Sequence, residues 1–551
     1  MKVGRMVNNI VRVDIPISKL EEITTLPSVK KIEVGKLIEP TLNVSAPMVN
    51  APQARNSFGL TGKGIIVGIV DRGIDITNQD FQDENGKTRI LYLWDQTDII
   101  GPPPYPYTYG TEWTKAQMDG GTCREKDAAG HGSYVAGIAA GNGRATDHGI
   151  PPGTYVGIAP EADLIVVKVI PYYEKIVDGI LYVGSQAENL GKPWVVNVGL
   201  GTYFGPKDGT SLFEQYIDGI PNQPLGQGKV LVCGAGNEGH DPNNPEATNP
   251  NAKFWKRSIN HSHNFGSIWS LLDVHSCPDS TGEYLWMELW YPWNESFNIT
   301  IKSPSGRNYG PFPPDSGTGH PGYGWYYQTD TDGLVFCHNH NYDANWPNPY
   351  PFTSDKLIII SLQDVYDNNQ WYHLREGTWW IIMSNGSSRW DCYLNLDATK
   401  DEAGEPSRFI DQYHTNERKI YEPGNANKII TVGSYNSKNS WVDINNHTQP
   451  QYNNLFVSSG YPIEEVSFFS SPGPTRDGRV KPDIYAPGAW VASSLSKDLV
   501  IPISDPFIER DGKHTNGQGT SASTPHVTGA VALLLQQDPD YSVDEIRNIL
   551  D

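Results

Sequence analysis

The sequence is poor in cysteine, in basic charge and in long apolar runs, and each shortage excludes a class of protein. Five cysteines over 551 residues are too few and too scattered for a disulfide scaffold or a zinc site. Lys and Arg number 42 against 63 Asp and Glu, and the net charge of −21 disfavours binding to nucleic acid or anionic lipid. No run approaches the roughly 18 apolar residues of a membrane span. A polypeptide or a neutral or cationic ligand is therefore the expected partner.

The length and the remaining composition indicate a folded chain of several domains. A domain usually takes about 100 to 200 residues. The 55 Gly and 42 Pro indicate many turns, while 16 Trp and 29 Tyr argue against disorder. The first residues carry Lys2, Arg5 and Arg12 where a secretory signal needs an apolar core. The sequence therefore predicts a soluble chain and does not by itself assign a compartment.

Short β-branched runs alternate with helical patterns in two separated parts of the chain. Strands are predicted at 65–70, 163–170, 194–198, 230–235, 429–432 and 490–493, and helices at 134–141, 177–190, 211–220 and 525–537. Apolar strands separated by helices predict an α/β fold with a mostly parallel, doubly wound sheet covered on both faces. In such sheets, functional side chains gather at the carboxyl ends of the strands.

Between these parts, the alternation gives way to short strands split by Pro, Gly and Asn clusters. The strands are predicted at 285–291, 297–301, 325–329, 334–338, 357–362, 378–383 and 392–396. This spacing predicts an inserted β-sandwich or jelly-roll module. A strand, helix, strand pattern before residue 40 is typical of half of a small α+β unit. The predicted domains are 1–40, 41–250, 251–418 and 419–551, of which the second and fourth form one α/β unit.

Three residues of types used in catalysis stand at strand ends and helix starts of this unit. Asp71 ends the first long strand, His131 opens a helical pattern, and Ser521 lies in a Gly-rich approach to a helix opened by Pro525. Taken singly, each has a structural explanation: a turn-capping Asp, a structural His and a helix-capping Ser. Together, an Asp, a His and a Ser at such positions of one sheet predict nucleophilic catalysis.

Four blocks, in chain order, resemble the signature blocks of the subtilisin-like serine proteases, the subtilases. They are Val70-Asp-Arg-Gly-Ile-Asp75, Gly130-His-Gly-Ser-Tyr-Val-Ala-Gly137, Gly234-Ala-Gly-Asn-Glu-Gly239 and Gly519-Thr-Ser-Ala-Ser-Thr-Pro-His526. The resemblance covers roughly 60–239 and 423–551. The order Asp, His, Ser is that of the triad in this family. The resemblance implies a subtilisin-like fold and a serine endopeptidase.

The resemblance also implies a role for each matching residue. Ser521 would be the nucleophile, His131 the base that takes its proton, and Asp71 the group that orients the imidazole. Asn237 would donate its side-chain amide to the oxyanion. Substrate would bind along a strand edge and in a pocket for the residue before the cut. The edge would consist of Gly199, Leu200 and Gly201, and one pocket wall of Gly234, Ala235 and Gly236.

The resemblance extends to partners and to location. Segment 1–40 looks like the second half of a subtilase propeptide, so the expected partners are a polypeptide substrate and this segment, processed by the enzyme itself. The missing first half and the stop at Asp551 predict a trimmed sequence. The insertion resembles that of germination-type subtilases of spore formers, which implies an extracytoplasmic or spore-associated location.

No cofactor is required on this resemblance, no residue is assigned as a metal ligand, and a structural calcium ion is allowed. Asp80 matches a position that supplies a calcium ligand in many subtilases, with an ordinary surface Asp as the alternative. A second candidate for a calcium site is an oxygen-rich stretch made of Asp364, Asp367, Asn368 and Asn369.

The sequence departs from the family pattern at three places, of which the first two predict a reshaped cleft, and two alternative functions stay open. Arg72 replaces a small residue, Ser133-Tyr134 stand where Thr-His is usual, and Gly199 replaces Ser. A catalytically silent binding or regulatory protein would show a damaged triad position, and none is damaged. An esterase would carry Gly-x-Ser-x-Gly, and Ser521 lies in Gly-Thr-Ser-Ala-Ser instead. Cys233 is expected to be either a small buried hydrophobe or a thiol beside the cleft.

Overall fold

The computed structural model describes most of the α/β unit and much of the insertion. The described residues are 45, 47–219, 227–239, 282–314, 331–339, 355–367, 369–397, 415–438, 440–449, 462–502 and 505–550, with the short segments 2–7, 10–14, 39–40, 260–263, 269–276, 325–329 and 407–410. Among these residues, no helix combines the length and apolar character that a membrane span needs.

The strands are numbered in chain order. The first ten are β1 Lys2–Val7, β2 Ile10–Asp14, β3 Glu39–Pro40, β4 Ile66–Asp71, β5 Ile90–Asp95, β6 Thr111–Thr114, β7 Asp163–Lys168, β8 Trp194–Val198, β9 Leu200–Gly201 and β10 Lys229–Gly234. The middle strands are β11 Asn260–His263, β12 Trp269–Val274, β13 Tyr284–Tyr291, β14 Asn298–Lys302, β15 Asn308–Phe312, β16 Trp325–Thr329, β17 Gly333–Asn339, β18 Lys356–Gln363, β19 Val365–Asp367, β20 Gln370–Tyr372, β21 Gly377–Ser384, β22 Trp390–Asp397 and β23 Arg408–Phe409. The last are β24 Ile430–Asn436, β25 Trp441–Val442, β26 Thr448–Gln449, β27 Ile484–Ser494 and β28 His514–Gln518.

The described α-helices are fewer and belong to the α/β unit. They are α1 Ala51–Phe58, α2 Lys115–Asp119, α3 His131–Ala140, α4 Tyr173–Asn189, α5 Leu212–Gly219, α6 Thr520–Gln537 and α7 Val543–Leu550. Short 3₁₀ turns lie at Pro47–Val49 and Gln79–Phe81.

Nine strands form the central sheet, in the order β28-β27-β24-β10-β8-β4-β7-β5-β6. Neighbours from β27 to β5 pair in parallel, and β28 and β6 pair antiparallel at the two edges. Alternate side chains of β4 enter different buried clusters: Val67 and Ile69 pack on the face of α3 and α6, and Ile66 and Val70 on the face of α4 and α5. The prediction of a mostly parallel sheet covered on both faces is confirmed.

Between residues 260 and 409, eleven of the described strands form two antiparallel sheets, which we call the inserted sheets, while β19 and β20 pair separately with each other. Their strand orders are β11-β22-β13-β18-β17-β16 and β15-β14-β21-β12-β23. All seven strands predicted for this part are present within one or two residues of the expected bounds. Their buried side chains, among them Met287, Trp379 and Trp390, form one cluster that also contains Tyr203 and Tyr421 from outside the inserted sheets. The inserted sheets are therefore packed onto the α/β unit.

The N-terminal pattern is described only in part. The strand predicted at 10–15 is present as β2, which pairs antiparallel with β1. The helix and second strand predicted between residues 18 and 34 lie outside the described residues, as does the domain boundary at 251. β3 does not join this hairpin and instead pairs with β9.

A buried arginine joins the inserted sheets to the α/β unit. Arg476 Nη2 lies 2.5 Å from Asp208 Oδ2, and Nη1 lies 2.5 Å from Asp355 Oδ2. Its Nε donates to the carbonyl oxygen of Pro206 at 2.6 Å. Since the Arg476 side chain is only 6% exposed, its charge is compensated by these carboxylates rather than by water.

Arg476→Ala is expected to lower the free energy of unfolding by about 3–5 kcal/mol, because it leaves two poorly exposed carboxylates without their cation. The measurement is denaturant unfolding of both proteins. Lys229→Ala is the control: its Nζ pairs with Glu188 at 2.6 Å at a more exposed site, where an ion pair contributes about 0–1 kcal/mol. Equal losses in the two variants would show that the Arg476 contact does not stabilise the joint.

Candidate active site

Asp71 is placed by the end of the central strand β4. It is fully buried, and its Oδ1 accepts the N–H of Arg72 at 2.7 Å and lies 2.6 Å from His131 Nδ1. On the neighbouring chain segment, a Cβ at Gly199 would lie 2.1 Å from Asp71 Oδ2. Position 199 therefore has no room for a side chain, which accounts for the glycine where the family pattern has Ser.

His131 is the first residue of α3, and a buried aspartate holds this helix start. Asp127 Oδ1 accepts the N–H of Gly130 at 2.9 Å, and its Oδ2 accepts the N–H of Ser133 at 2.8 Å. N–H groups at a helix start lack acceptors within the helix, so Asp127 fixes the backbone on both sides of His131. The role of Asp127 could not be read from the sequence, because this residue stands four positions before α3 and the N-cap position is Gly130.

Ser521 lies in the first turn of α6. The prediction that this helix opens at Pro525 is wrong: it begins at Thr520 and carries Pro525 inside it. Proline is favoured at the first helical position, so the sequence pattern placed the start of the helix five residues too late. Ser521 Oγ lies 3.1 Å from His131 Nε2, and both side chains are buried. Asp71, His131 and Ser521 thus meet in one line of hydrogen-bonding contacts.

Asn237 follows β10 and is tied to the start of α6. Its Oδ1 accepts the backbone N–H of Thr520 at 2.8 Å and the Thr520 hydroxyl at 3.2 Å. Thr520 Oγ1 in turn accepts the N–H of Gly236 at 3.0 Å. Since the carbonyl oxygen of the Asn237 amide is engaged, its NH₂ group is the end that can donate to another molecule. Thr520 is a further residue of the site that sequence analysis missed.

The segments predicted to bind substrate flank these side chains. β9 pairs antiparallel with β3, with Glu39 opposite Gly201 and Pro40 opposite Leu200. The predicted substrate edge therefore carries an extended piece of the N-terminal segment. The predicted pocket wall begins at the end of β10, where a Cβ at Gly234 would lie 2.8 Å from Thr520 Oγ1. The wall is thus in contact with the start of α6.

One departure from the family pattern serves packing. Ser133 Oγ accepts the N–H of Asp75 at 2.7 Å, and the Tyr134 hydroxyl donates to the carbonyl oxygen of Val491 at 2.8 Å. Both side chains are buried. Ser133 and Tyr134 are therefore held by contacts within the protein, and a reshaped cleft at these two positions stays a prediction.

Cys233 is buried at 1% exposure within the cluster under α4 and α5. Burial raises the pKa of its thiol to about 12, so the reactive thiolate is disfavoured. We expect an organic mercurial to leave Cys233 unlabelled in the native protein and to label it after unfolding, as read by peptide mass mapping. Labelling of Cys233 under native conditions would instead place its thiol beside an open cleft.

Asp80 is a buried residue, so the alternative of an ordinary surface Asp is wrong. Its Oδ1 accepts the N–H of Ala145 at 2.9 Å, and its Oδ2 accepts the Ser494 hydroxyl at 2.7 Å and faces His514 Nε2 at 3.1 Å. His514 Nδ1 lies 2.7 Å from Asp511 Oδ2. An imidazole thus lies between two carboxylates at the position where the resemblance allowed calcium.

The second oxygen-rich stretch is also engaged in internal contacts. Asp364 Oδ1 accepts the N–H of Leu374 at 2.7 Å, and its Oδ2 accepts the N–H of Gly282 at 3.1 Å. Asn368 lies outside the described residues. In the described parts of the chain, no three or more His, Cys, Asp or Glu side chains are grouped to hold a metal ion.

The contacts of His514 with Asp80 and Asp511 predict a stability that depends on pH. Burial alone would lower the pKa of His514, but hydrogen bonds to Asp511 and Asp80 and their charges outweigh it and raise this pKa from 6.5 to about 9. A raised folded-state pKa stabilises the protein fully below the unfolded value and loses this effect as pH rises through about 9. We therefore expect the Tm advantage of the wild type over His514→Gln to shrink between neutral pH and pH above about 9.

Thermal unfolding across this pH range checks the prediction. His447→Gln is the matched control, because His447 is 56% exposed beside Asp443 and its pairing is open to water. Parallel Tm curves for wild type and His514→Gln would show that the charge of His514 does not stabilise the folded protein.

The sequence profile of the subtilase family matches residues 62–275 and 369–551, which include all four blocks and both halves of the α/β unit. The chain therefore belongs to the subtilase family.

Proteins similar to this chain include two curated relatives from Bacillus subtilis (strain 168) and one solved structure. Serine protease AprX of Bacillus subtilis (strain 168) is 34% identical over 131 residues, which are 24% of this chain and 26% of AprX. The Major intracellular serine protease of the same organism is 31% identical over 231 residues, 40% of this chain and 56% of that protein. The matched parts thus span less than two thirds of these relatives. The Clostridium perfringens CspB protease structure has a TM-score of 0.65 and 22% identity, covers 92% of each chain, and supports the fold.

Proposed function

We propose that the protein is a serine endopeptidase that hydrolyses peptide bonds through an acyl-enzyme on Ser521. The observation that carries this proposal is the line of contacts from Asp71 Oδ1 to His131 Nδ1 at 2.6 Å and from His131 Nε2 to Ser521 Oγ at 3.1 Å. As Ser521 Oγ attacks the carbonyl carbon, His131 Nε2 takes its proton and then gives it to the leaving amine. Asp71 holds the other imidazole nitrogen and stabilises the imidazolium. Water then repeats the sequence to release the acyl group.

Two donors, one on the segment after β10 and one in the first turn of α6, would stabilise the oxyanion. Thr520 holds the Asn237 amide in place through two hydrogen bonds to its carbonyl oxygen. The NH₂ group takes no part in these bonds and can donate to the oxyanion. The N–H of Ser521 lies in the first turn of α6, where a helix has no acceptor for it. Such fixed donors act on charge that develops in the transition state, and losing one costs about 10²–10³ in kcat, a range measured in this same family.

The N-terminal segment would act as a propeptide that the enzyme processes itself. The pairing of Glu39 and Pro40 with β9 supports this, because an extended peptide that adds to a strand edge is a common mode of peptide binding. We expect the cut to fall shortly after Pro40. Polypeptide substrate would later occupy the same edge, and the net charge of −21 gives no support to a nucleic-acid partner.

The chain would divide into a catalytic unit and an inserted module. We propose that residues 251–418 form an inserted jelly-roll module of the kind found in germination-type subtilases, with 41–250 and 419–551 as the catalytic unit. Catalysis would need no cofactor, since the proposed chemistry uses only side chains and a backbone N–H of this chain. The His514 imidazolium would supply positive charge at Asp80, which leaves calcium no required role there. We propose an extracytoplasmic or spore-associated location, because the insertion resembles that of germination-type subtilases of spore formers.

The proposal is tested with a fluorophosphonate probe and two kinds of substrate. We expect the probe to attach to the wild type and not to Ser521→Ala, and the wild type to cleave an unfolded protein. A catalytically silent binding protein would take up no probe. An esterase would hydrolyse simple esters while leaving peptides intact.

A further inference from the structure

We infer that Tyr421 limits the size of the residue accepted immediately before the cut, so that the enzyme prefers substrates with a small side chain there, such as alanine, serine or threonine. This inference rests on the proposed peptidase function and names its substrate class. Tyr421 lies just before the β24 region of the α/β unit, outside all four signature blocks. Sequence analysis did not single it out.

The Tyr421 side chain lies between the two segments predicted to bind substrate. A Cβ at Gly236, on the pocket wall, would lie 2.3 Å from Tyr421 Cδ1 and 2.7 Å from its Cγ. A Cβ at Gly201, on the substrate edge, would lie 3.3 Å from both Cβ and Cδ2 of Tyr421. The two glycines leave room for this ring, and the ring fills space between the edge and the wall.

The backbone around Tyr421 is fixed to both segments. The N–H of Tyr421 donates to the carbonyl oxygen of Ala235 at 2.8 Å, which ties it to the wall. The next residue, Glu422, exchanges two 2.9 Å backbone hydrogen bonds with Thr202, directly after the substrate edge. Residues 421 and 422 therefore bridge the edge and the wall, and these bonds fix the backbone that carries the ring.

The ring itself is also held. The Tyr421 hydroxyl donates to Glu238 Oε1 at 2.7 Å, one residue beyond Asn237. The ring of Tyr203 lies 5.6 Å away between centroids, and Tyr203 in turn contacts Tyr393 of the inserted sheets at 6.0 Å. Tyr421 is 8% exposed. A ring bonded at its tip and packed from the side acts as a fixed filler of the pocket rather than as a movable gate.

This geometry predicts how side chains are discriminated. A small side chain before the cut fits beside the ring, whereas an aromatic one would have to displace it and break the bond to Glu238. Differences of this kind in a pocket change kcat/KM by about tenfold per methylene or more. The preference therefore separates alanine from phenylalanine by at least roughly tenfold.

The experiment measures kcat/KM for three peptides that differ only in the residue before the cut, which is Ala, Leu or Phe. We expect the wild type to favour Ala over Phe by at least roughly tenfold, and Tyr421→Ala to raise kcat/KM for the Phe peptide by a similar factor. Tyr421→Phe is the matched control, because it keeps the ring, loses only the hydroxyl, and should keep the preference for Ala. Tyr421→Leu serves as a second opening variant if Tyr421→Ala does not fold.

Two results would overturn the proposed role of Tyr421. One is equal cleavage of the Ala and Phe peptides by the wild type. The other is an unchanged preference for Ala in both Tyr421→Ala and Tyr421→Leu. Fluorophosphonate labelling separates this failure from failure of the proposed function. A labelled enzyme without the size preference overturns the inference alone, whereas a chain that is neither labelled nor able to cleave any of the peptides overturns the proposed function and the inference with it.

Discussion

Ser521→Ala is expected to lower kcat for a peptide substrate by about 10⁶-fold, a magnitude known for the equivalent change in this family and not a value read from the structure. The physical reason is that the Ser521 hydroxyl lies within hydrogen-bonding reach of His131 Nε2, at 3.1 Å, and supplies the attacking oxygen. Without it, no acyl-enzyme forms, and only oxyanion stabilisation and substrate binding remain. Single-turnover and steady-state hydrolysis of one peptide measure the loss. The variant should also keep its N-terminal segment uncut.

Ser523→Ala is the matched control for this change. Ser523 lies on the same helix, is fully buried, and donates its hydroxyl to the carbonyl oxygen of Thr520 at 3.2 Å. The substitution removes a buried hydroxyl of the same size without touching His131. We expect its kcat to stay close to that of the wild type. Comparable losses in the two variants would mean that the hydroxyl of Ser521 acts through folding and not through chemistry.

Asp71→Asn should lower kcat by about 10⁴-fold while leaving the fold intact. An amide NH₂ facing His131 Nδ1 makes that nitrogen an acceptor, so the imidazole proton moves to Nε2 and the ring can no longer take the proton of Ser521. The effect is chemical because Asn and Asp have the same shape. Steady-state hydrolysis, the rate of fluorophosphonate labelling and thermal unfolding together measure it.

Asp95→Asn provides the comparison for this second change. Asp95 also ends a strand of the central sheet, is 4% exposed, and accepts the N–H of Thr97 at 2.9 Å. It therefore tests whether loss of a buried strand-end charge is enough to stop hydrolysis. A kcat near that of the wild type for Asp95→Asn, beside a large loss for Asp71→Asn, would assign the effect to the contact with His131.

The central strands could be predicted from sequence because each is a continuous apolar run buried on both faces. The predicted bounds of β8 match the observed ones, Trp194–Val198. The edge strand β28, His514–Gln518, was missed because its residues are mostly polar and its strand form comes from pairing with β27. Local pattern carries the first kind of information, and long-range pairing carries the second.

In the site, too, some residues could be predicted from local sequence pattern and others only from long-range contacts. Asp71, His131 and Ser521 stand in recognisable blocks, so their meeting was expected before their distances were known. Thr520 stands in the fourth block, but its contact with Asn237, almost 300 positions away, cannot be read from that block. Tyr421 lies outside all four blocks, and its contact with Gly236 joins residues almost 200 positions apart. The prediction for α6 failed for a local reason, because a proline that usually opens a helix lies inside this one.

The most direct test of the proposed mechanism is a crystal structure of the protein bound to a peptide aldehyde. The mechanism predicts a covalent bond from Ser521 Oγ to the aldehyde carbon, with the resulting oxygen within about 3.2 Å of Asn237 Nδ2. It also predicts His131 Nε2 beside the new bond and the peptide backbone along Leu200 and Gly201, in the place of Glu39 and Pro40. An unmodified Ser521 with the aldehyde bound elsewhere, or an adduct whose oxygen faces away from Asn237, would contradict it.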